Sequence, residues 1–206
     1  MIILGLHKDP WHNTGAAMIR VDDDGVGFAN LGQERCDRVK DSRAFSLAST
    51  TACMNELGVG SIDDVDLVVM GYVCQRDWWR DAYRRPCTTD NFLSHVDPRK
   101  IHVMNHHLAH AYNVFYSSPY EEAAVLIVDG RGSEKETQSL FIASSDGIEL
   151  VESTRTIGIG LLYAAVTEQV GFGVLNEGKT MGLAPVRSID LPTDLSVPAA
   201  LQRHRD

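Results

Sequence analysis

Two histidines four residues apart precede an aspartate at the end of an apolar run. His106 and His110 lie in MNHHLAHAY, and Asp129 directly follows AAVLIV. If the histidine segment is helical, a four-residue step places both imidazoles on one face, about one turn apart. A buried strand over residues 123–128 would place Asp129 at the carboxyl edge of a sheet, where α/β proteins collect ligands. Two histidines and one carboxylate are a known ligand set for divalent transition metals, so we predict a metal site at these three residues.

His107 offers an alternative for one of the two nitrogen ligands. It lies about 100° around the helix from His106, yet His107 and His110 form a permitted i, i+3 pair. Histidine pairs on helices are also often surface or capping residues, and an aspartate before glycine is a common turn signal. The sequence alone leaves these alternatives open.

The elements that position these residues are predicted from apolar periodicity and turn signals. Asp-Gly turns separate the first apolar runs into a hairpin and a third strand, and Gly58 ends the first long helix. No internal repeat is evident, and residues 75–98 read as irregular or partly helical. The predicted strands are 1–6, 16–21, 25–31, 65–72, 102–104, 123–128 and 139–144, and the predicted helices are 46–57, 105–117 and 161–170, with a Gly-bounded segment at 176–183.

Composition excludes several classes of function. The net charge of −9 argues against a nucleic-acid-binding surface, which needs clustered Lys and Arg. The four cysteines are widely spaced, and no secretory signal is present, so reduced thiols in the cytoplasm are expected. No apolar run is long enough to cross a membrane. We therefore predict a soluble cytoplasmic protein without nucleic-acid or membrane partners.

Five segments together resemble one known family. The chain resembles the amino-terminal, Kae1-like portion of the carbamoyltransferases that include the nodulation protein NodU and the antibiotic O-carbamoyltransferases. The match covers most of residues 2–185. Its segments are ILGL with WHNTGAA (3–6 and 11–17), QERCDRVKD (33–41), HHLAHA (106–111), VDGRG (128–132) and EGKTMGLAP (177–185).

The resemblance implies an α/β fold of the actin-like ATPase (ASKHA) type, with a mixed sheet and flanking helices. It implies transfer of a carbamoyl group to an acceptor hydroxyl from carbamoyl-adenylate, which a separate YrdC-like domain makes from carbamoyl phosphate and ATP. By the same resemblance, His106, His110 and Asp129 hold an iron(II)-type ion. His12 falls on an active-site histidine, and Lys40 on a basic residue near the transferred group.

Glycines after Asp129 suit a second task. In the DGRG segment, Gly130 and Gly132 flank Arg131 and let backbone N–H groups approach a phosphate without interference from a Cβ atom. The segment Glu177, Gly178 and Lys179 is expected to line the same cleft. A polar loop beside a helix start is the alternative for that segment.

Departures from the family limit what this chain is expected to do alone. Asn13 stands where the family usually has Asp, and family members run several hundred residues further, with a second lobe and the YrdC-like domain. We divide the chain into a partial domain, 1–185, and a divergent, mobile tail, 186–206. The expected partners are a small-molecule acceptor with a hydroxyl and, in trans, the second lobe or YrdC-like domain. The alternative is a catalytically silent lobe that binds metal or nucleotide.

A tRNA-modification protein of the Kae1 type shares the His-x-x-x-His pair. It would be expected to carry SGGHT where this chain has Asp129 to Gly132, so we rank it below the carbamoyltransferase. Without a second lobe, apolar surface is expected to be exposed around residues 157–170 and 181–183, and such patches favour association.

Overall fold

The computed structural model describes residues 1–7, 13–73, 93, 96–173 and 175–183. The chain divides after Ala109 into two compact units. The alternation of strands and helices confirms an α/β fold with a mixed sheet. Its strands are β1 (Ile2–His7), β2 (Gly15–Asp22), β3 (Gly25–Gly32), β4 (Leu67–Tyr72), β5 (Ile101–Asn105), β6 (Ala123–Val128), β7 (Gln138–Ser144) and β8 (Gly147–Thr154), and its helices are α1 (Gln33–Asp37), α2 (Leu47–Glu56), α3 (His106–Tyr116), α4 (Ile159–Gln169) and α5 (Glu177–Leu183), with 3-10 turns at Ile62–Asp64 and Pro98–Lys100.

The first unit contains a five-stranded sheet in the order β3-β2-β1-β4-β5. Strands β1, β2 and β3 form an antiparallel meander, and β4 and β5 run parallel to β1. Helix α2 packs against β2 and β3. It ends where Gly58 adopts a φ of +64°, a left-handed conformation that glycine reaches without a Cβ penalty. The predicted stop at Gly58 is therefore confirmed.

Helix α1 was not predicted from the sequence. It has only five residues, and its N-cap, Gly32, makes no side-chain capping bond. Its end is defined instead by Arg38, whose φ is +62° and whose N–H donates to the carbonyl of Glu34 at 3.0 Å. A helix of five residues is too short for apolar residues to recur at helical spacing, so periodicity cannot predict it.

The core of the first unit lies on one face of its sheet. Leu4 and Met18 are opposite each other on β1 and β2, and both are fully buried. Val68 and Met70 of β4 and Cys53 of α2 complete the same core cluster. Burial raises the pKa of the Cys53 thiol, with a smaller contribution from Cys36. This thiol is therefore a structural apolar group rather than a nucleophile.

The second unit contains the antiparallel sheet β6-β7-β8. We predicted that residues 123–128 form a buried strand, and this is only half correct. Val125 and Ile127 are buried, whereas Leu126 is 63% exposed and Val128 is 42% exposed. The side chains of a strand alternate between two faces, and the described residues cover only one face of β6.

The two meanders form a structural repeat that the sequence did not reveal, and their registers agree except beyond a bulge between Leu140 and Phe141, where the β7–β8 pairing shifts by one residue. The β2–β3 turn runs from Asp22 to Gly25 and the β7–β8 turn from Ser144 to Gly147, a shift of 122 residues at both ends (144 − 22 and 147 − 25). The pair Leu4–Met18 then corresponds to Leu126–Leu140. In each turn a side chain of the first residue accepts the N–H two residues later, and the closing glycine has a positive φ.

From the repeat we predict that alanine substitutions at two equivalent leucines, Leu4 and Leu126, change the free energy of unfolding by different amounts. Leu4→Ala is expected to cost about 2–5 kcal/mol of unfolding free energy, because it leaves a cavity in a closed core. Leu126→Ala changes the equivalent residue, which is exposed, and should stay within about 0.5 kcal/mol of wild type. Urea denaturation followed by circular dichroism measures both. Equal losses in the two variants would contradict the observed difference in burial.

Several sequence-based predictions fall outside the described residues. They include His12, most of residues 75–98 and the segment 186–206. In the described part of the chain, no helix combines the length and the apolar character needed to cross a bilayer.

Candidate metal centre

Helix α3 carries both histidines of the predicted metal site. It begins directly after β5, and the side-chain carbonyl of Asn105 accepts the N–H of Leu108 at 3.0 Å, which satisfies one donor of the first helical turn. Ala111 and Phe115 are buried on one side of the helix. The predicted span of 105–117 agrees with the observed one, His106–Tyr116, to within one residue at each end. His106 and His110 are therefore one helical turn apart.

Asp129 follows β6 in a defined orientation. Its N–H donates to the carbonyl of Thr137 at 2.9 Å, and one carboxylate oxygen, Oδ1, accepts the N–H of Gly130 at 2.6 Å. The other oxygen, Oδ2, lies 3.7 Å from Nε2 of His110. The ligand atoms offered by His106, His110 and Asp129 all lie within 4.8 Å of one another. Three donors at this spacing can share one cation without a large rearrangement.

His107 does not join this group. Its side chain is fully buried, and its ring centroid is 6.1 Å from that of His106. The structure thus assembles the i, i+4 pair of histidines rather than the i, i+3 pair. Sequence periodicity could not distinguish them, because either pair lies on one helix face.

A glycine that the sequence analysis missed lies against Asp129. A Cβ atom at Gly160, the second residue of α4, would be 2.5 Å from the carbonyl carbon and oxygen of Asp129 and 2.7 Å from the N of Gly130. A Cβ at Gly158, the N-cap, would lie 2.9 Å from the side chain of Thr137. The start of α4 therefore supports the backbone of the Asp129 turn. The signal in the sequence was the GIG segment, residues 158–160, at which an apolar helix begins.

The loop from Asp129 to Thr137 is closed by its own hydrogen bonds. The N–H of Gly132 donates to the carbonyl of Glu136 at 2.6 Å, and the carboxylate of Glu136 accepts the N–H of Glu134 at 2.5 Å. Glu136 is only 4% exposed, so it is a buried support of this loop. Gly130 and Gly132 thus both use their N–H groups within the loop, and a phosphate at these amides would have to replace those bonds. The space beside Gly130 is open, and Arg131 is half-buried.

The second predicted ligand-binding segment lies at the start of α5. Glu177 is half-buried, whereas Gly178 and Lys179 are exposed. Helix α5 is joined to α4 by a hydrogen bond of 2.8 Å between the hydroxyls of Thr180 and Thr167. Thr167 lies seven residues after Gly160, which is about 10 Å along the helix axis. The segment is therefore about two turns of α4 away from the Asp129 contact.

Lys40 lies on a turn that is tied to the start of β2. The Ser42 hydroxyl donates to the carboxylate of Asp37 at 2.5 Å, and this bond is the main reason why the pKa of Asp37 is lowered. The carbonyl of Ser42 accepts the N–H of Thr14 at 2.9 Å. Lys40 itself is exposed at the tip. The turn fixes the backbone at Lys40 close to the chain that leaves His12, which itself lies outside the described residues.

The amino-acid sequence is similar to those of known proteins over most of its length. Residues 71–203 match the family described as Carbamoyltransferase N-terminus. This match includes most of the segment that we interpreted as a divergent tail. The nodulation protein NolNO of Sinorhizobium fredii is 28% identical over 196 residues, which cover 84% of this chain and 28% of the relative. An uncharacterised protein of Synechocystis is 29% identical over 210 residues, which cover 85% of this chain and 33% of the relative.

A third relative is similar over a shorter stretch. The nodulation protein NolO of Bradyrhizobium diazoefficiens is 35% identical over 83 residues, which cover 40% of this chain and 15% of the relative. The chain spans about a third or less of the length of each of these relatives.

Proposed function

Because the chain belongs to the carbamoyltransferase family, we propose that it is the amino-terminal part of an O-carbamoyltransferase. The carbamoyl donor is carbamoyl-adenylate, formed from carbamoyl phosphate and ATP, and the acceptor is a hydroxyl of a small molecule. The observation that carries this proposal is the family match, which covers residues 71–203. An actin-like ATPase fold is part of the proposal. The meander β1-β2-β3 with β4 and β5 parallel to β1 supports it.

The reaction requires a base and a cation. The acceptor oxygen attacks the carbamoyl carbon, and a new carbon–oxygen bond forms while the bond from that carbon to the adenylate phosphate breaks. AMP leaves with the bonding electrons, and the hydroxyl proton passes to a base. We assign the base to His12, because histidine titrates near neutrality. We assign Lys40 to the charge that grows on the departing phosphate.

The donor set of the candidate metal centre fits a divalent ion such as iron(II). His106 and His110 would supply nitrogen ligands and Asp129 an oxygen, a combination that transition metals accept. Such an ion supplies Lewis-acid polarisation of an oxygen or neutralises phosphate charge when it is bound. The hydrogen bond from Gly130 to Asp129 leaves Oδ2 directed at His110, which supports this assignment.

Nucleotide binding is assigned to two segments of the second unit. Gly130, Arg131 and Gly132 would meet the phosphates, with the guanidinium of Arg131 as the cationic group. The segment from Glu177 to Lys179 would contact a part of the nucleotide farther from the metal, in keeping with its distance of about 10 Å along α4 from the Asp129 contact.

Activity measurements test the proposal. The purified chain is expected to show no carbamoyl transfer from carbamoyl phosphate and ATP, because adenylate formation is assigned to another domain. Transfer should appear when the part of NolNO that follows the aligned portion is added as a separate polypeptide. The measurement is the mass gain of a carbamoyl group on a panel of sugar and alcohol acceptors, together with AMP release.

Two variants connect this activity to the proposed residues. Lys40→Ala is expected to lower transfer by the mixture by about 100-fold, the usual cost of removing one group that stabilises developing charge. Arg43→Ala is the control, because it removes an exposed cation three residues away. Turnover by the chain alone would refute the need for a second polypeptide. A mixture inactive with every acceptor would favour the alternative, a silent metal- or nucleotide-binding lobe.

A further inference from the structure

The turn that carries Lys40 has an unusual backbone conformation. In the described part of the chain, only four residues other than glycine have a positive φ, and two of them flank Val39 and Lys40. They are Arg38, with a φ of +62°, and Asp41, with a φ of +53°. A left-handed backbone is unfavourable for residues with a Cβ atom and persists only where surrounding contacts hold it. Such residues cluster at functional sites, so the contacts that hold this turn are candidates for a functional role.

The side chain of Asp37 closes the turn. One carboxylate oxygen, Oδ1, accepts the N–H of Val39 at 2.9 Å, and the other, Oδ2, accepts the Ser42 hydroxyl at 2.5 Å. The N–H of Ser42 donates to the carbonyl of Val39 at 3.1 Å. Hydrogen bonds from Ser42 and Val39 lower the pKa of Asp37, so it accepts these bonds as a carboxylate. Asp37 therefore joins the two ends of the turn across Lys40.

Ser42 connects the turn to buried residues. It is only 3% exposed, and its carbonyl accepts the N–H of Thr14 at 2.9 Å. The carbonyl of Thr14 accepts the N–H of Gln33 at 2.9 Å. The side-chain carbonyl of Gln33, which is also buried, accepts the N–H of Ser49 near the start of α2 at 3.1 Å. The bond between Asp37 and Ser42 thus ties an exposed turn to a buried base.

The side chain of Lys40 has no comparable support. It is exposed, and it forms no hydrogen bond or ion pair with any described residue. Lysine carries its charge on a flexible four-carbon stem. A cation stabilises developing charge best when it is already in place before the reaction. The backbone of the turn is therefore the part of the molecule that can limit where the Lys40 ammonium goes.

We propose that Asp37 and Ser42 are positioning residues for Lys40. The hydrogen bond between their side chains fixes the turn, and the fixed turn holds Lys40 where it meets the phosphate of the carbamoyl donor. This role rests on the proposed function, in which Lys40 stabilises the charge of the departing phosphate. Asp37 and Ser42 act through Lys40 and not on the substrate.

Backbone amide relaxation, measured by nuclear magnetic resonance on the full chain alone, tests whether the bond orders the turn. The Lys40 amide should have an order parameter of about 0.85 in wild type and below about 0.6 in Asp37→Ala and Ser42→Ala. Ser46→Ala is the matched control, because Ser46 is also buried but makes no side-chain capping bond to α2. An unchanged order parameter at Met18, in the core of the first unit, shows that each variant is folded.

Exchange of the two side chains tests the bond itself. In Asp37→Ser with Ser42→Asp, a hydroxyl still faces a carboxylate. Either type of side chain can also accept the N–H two residues later, as Asp37 does from Val39. Order at Lys40 should return, whereas Ser42→Asp alone places two carboxylates against each other and should lose it. If the exchanged variant does not fold, Asp37→Ala decides, because Asp37 is exposed and its loss opens no core.

Carbamoyl transfer tests the link to Lys40, in the mixture with the part of NolNO that follows the aligned portion. Asp37→Ala should lower kcat by about tenfold or more with KM for the acceptor unchanged, because Lys40 acts on charge that develops in the transition state. In a Lys40→Ala background the same substitution should change transfer by less than about twofold, because the group through which it acts is gone. A loss of stability alone would lower transfer in both backgrounds.

Three results would overturn the positioning role. They are a rigid Lys40 amide in Asp37→Ala, a folded exchange variant without order at Lys40, and equal losses of transfer from Asp37→Ala with and without Lys40. An active mixture that is insensitive to Asp37→Ala would also remove the role but leave the proposed function. A mixture inactive with wild type would remove the proposed function, and the order parameter of Lys40 would then decide whether Asp37 and Ser42 position it.

Discussion

His110→Ala is expected to abolish stoichiometric binding of a divalent metal. His110 and Asp129 offer atoms 3.7 Å apart, and the His110 side chain is half-exposed, so an ion can reach it from solvent. Loss of even an outer-shell partner of a metal ligand typically costs 10–100-fold in affinity, so loss of a direct ligand should cost about 100-fold or more. Three protein ligands leave the remaining positions to water, which predicts modest affinity in the wild type.

The measurement is iron(II) binding under anaerobic conditions, by metal analysis after dialysis and by calorimetry. His102→Ala is the control, because His102 is an exposed histidine on β5 that does not belong to the cluster. A saturating metal should also raise the thermal midpoint of the wild type, since a ligand at 100 times its Kd stabilises by about 2.7 kcal/mol. Equal metal content in wild type and His110→Ala would eliminate the proposed metal centre.

Local sequence patterns were sufficient to predict most elements and the approach of the three candidate ligands. The histidine helix and the strand before Asp129 each follow from apolar periodicity within a short window. Their boundaries needed little correction. The sequence could not predict which side of α3 packs inward. The choice between His106 and His107 as a ligand depends on that side. In the folded chain, the buried Ala111 and Phe115 identify the side of α3 that packs inward.

Features that depend on distant contacts could not be predicted. The support of Asp129 by Gly160 joins residues that are far apart in the chain, and no local pattern encodes it. The repeat is equally hidden. Leu4 and Leu126 are the same residue type at equivalent positions, yet one is core and the other is exposed. An apolar strand is predicted to be buried in either case, because the sequence gives the hydrophobicity of a strand but not the elements that cover it.

Gly160→Ala should destabilise the second unit and weaken its metal binding together. Its Cβ would lie 2.5 Å from the carbonyl carbon and oxygen of Asp129, and backbone atoms cannot move aside as a flexible side chain can. Overpacking of this kind typically costs about 1–3 kcal/mol. The clash acts on the residue that offers a metal ligand, so displacement of Asp129 should reduce the affinity for iron(II) as well.

Gly178→Ala provides the matched control. Gly178 is also the second residue of a helix, but a Cβ there meets nothing within 4 Å. Alanine should then be neutral or stabilise by up to about 1 kcal/mol, the intrinsic difference between the two residues in a helix. Urea denaturation and iron(II) calorimetry on both variants separate the effects. If Gly160→Ala retained wild-type stability and affinity, the start of α4 would not support the Asp129 turn, and the metal ligands would be positioned without it.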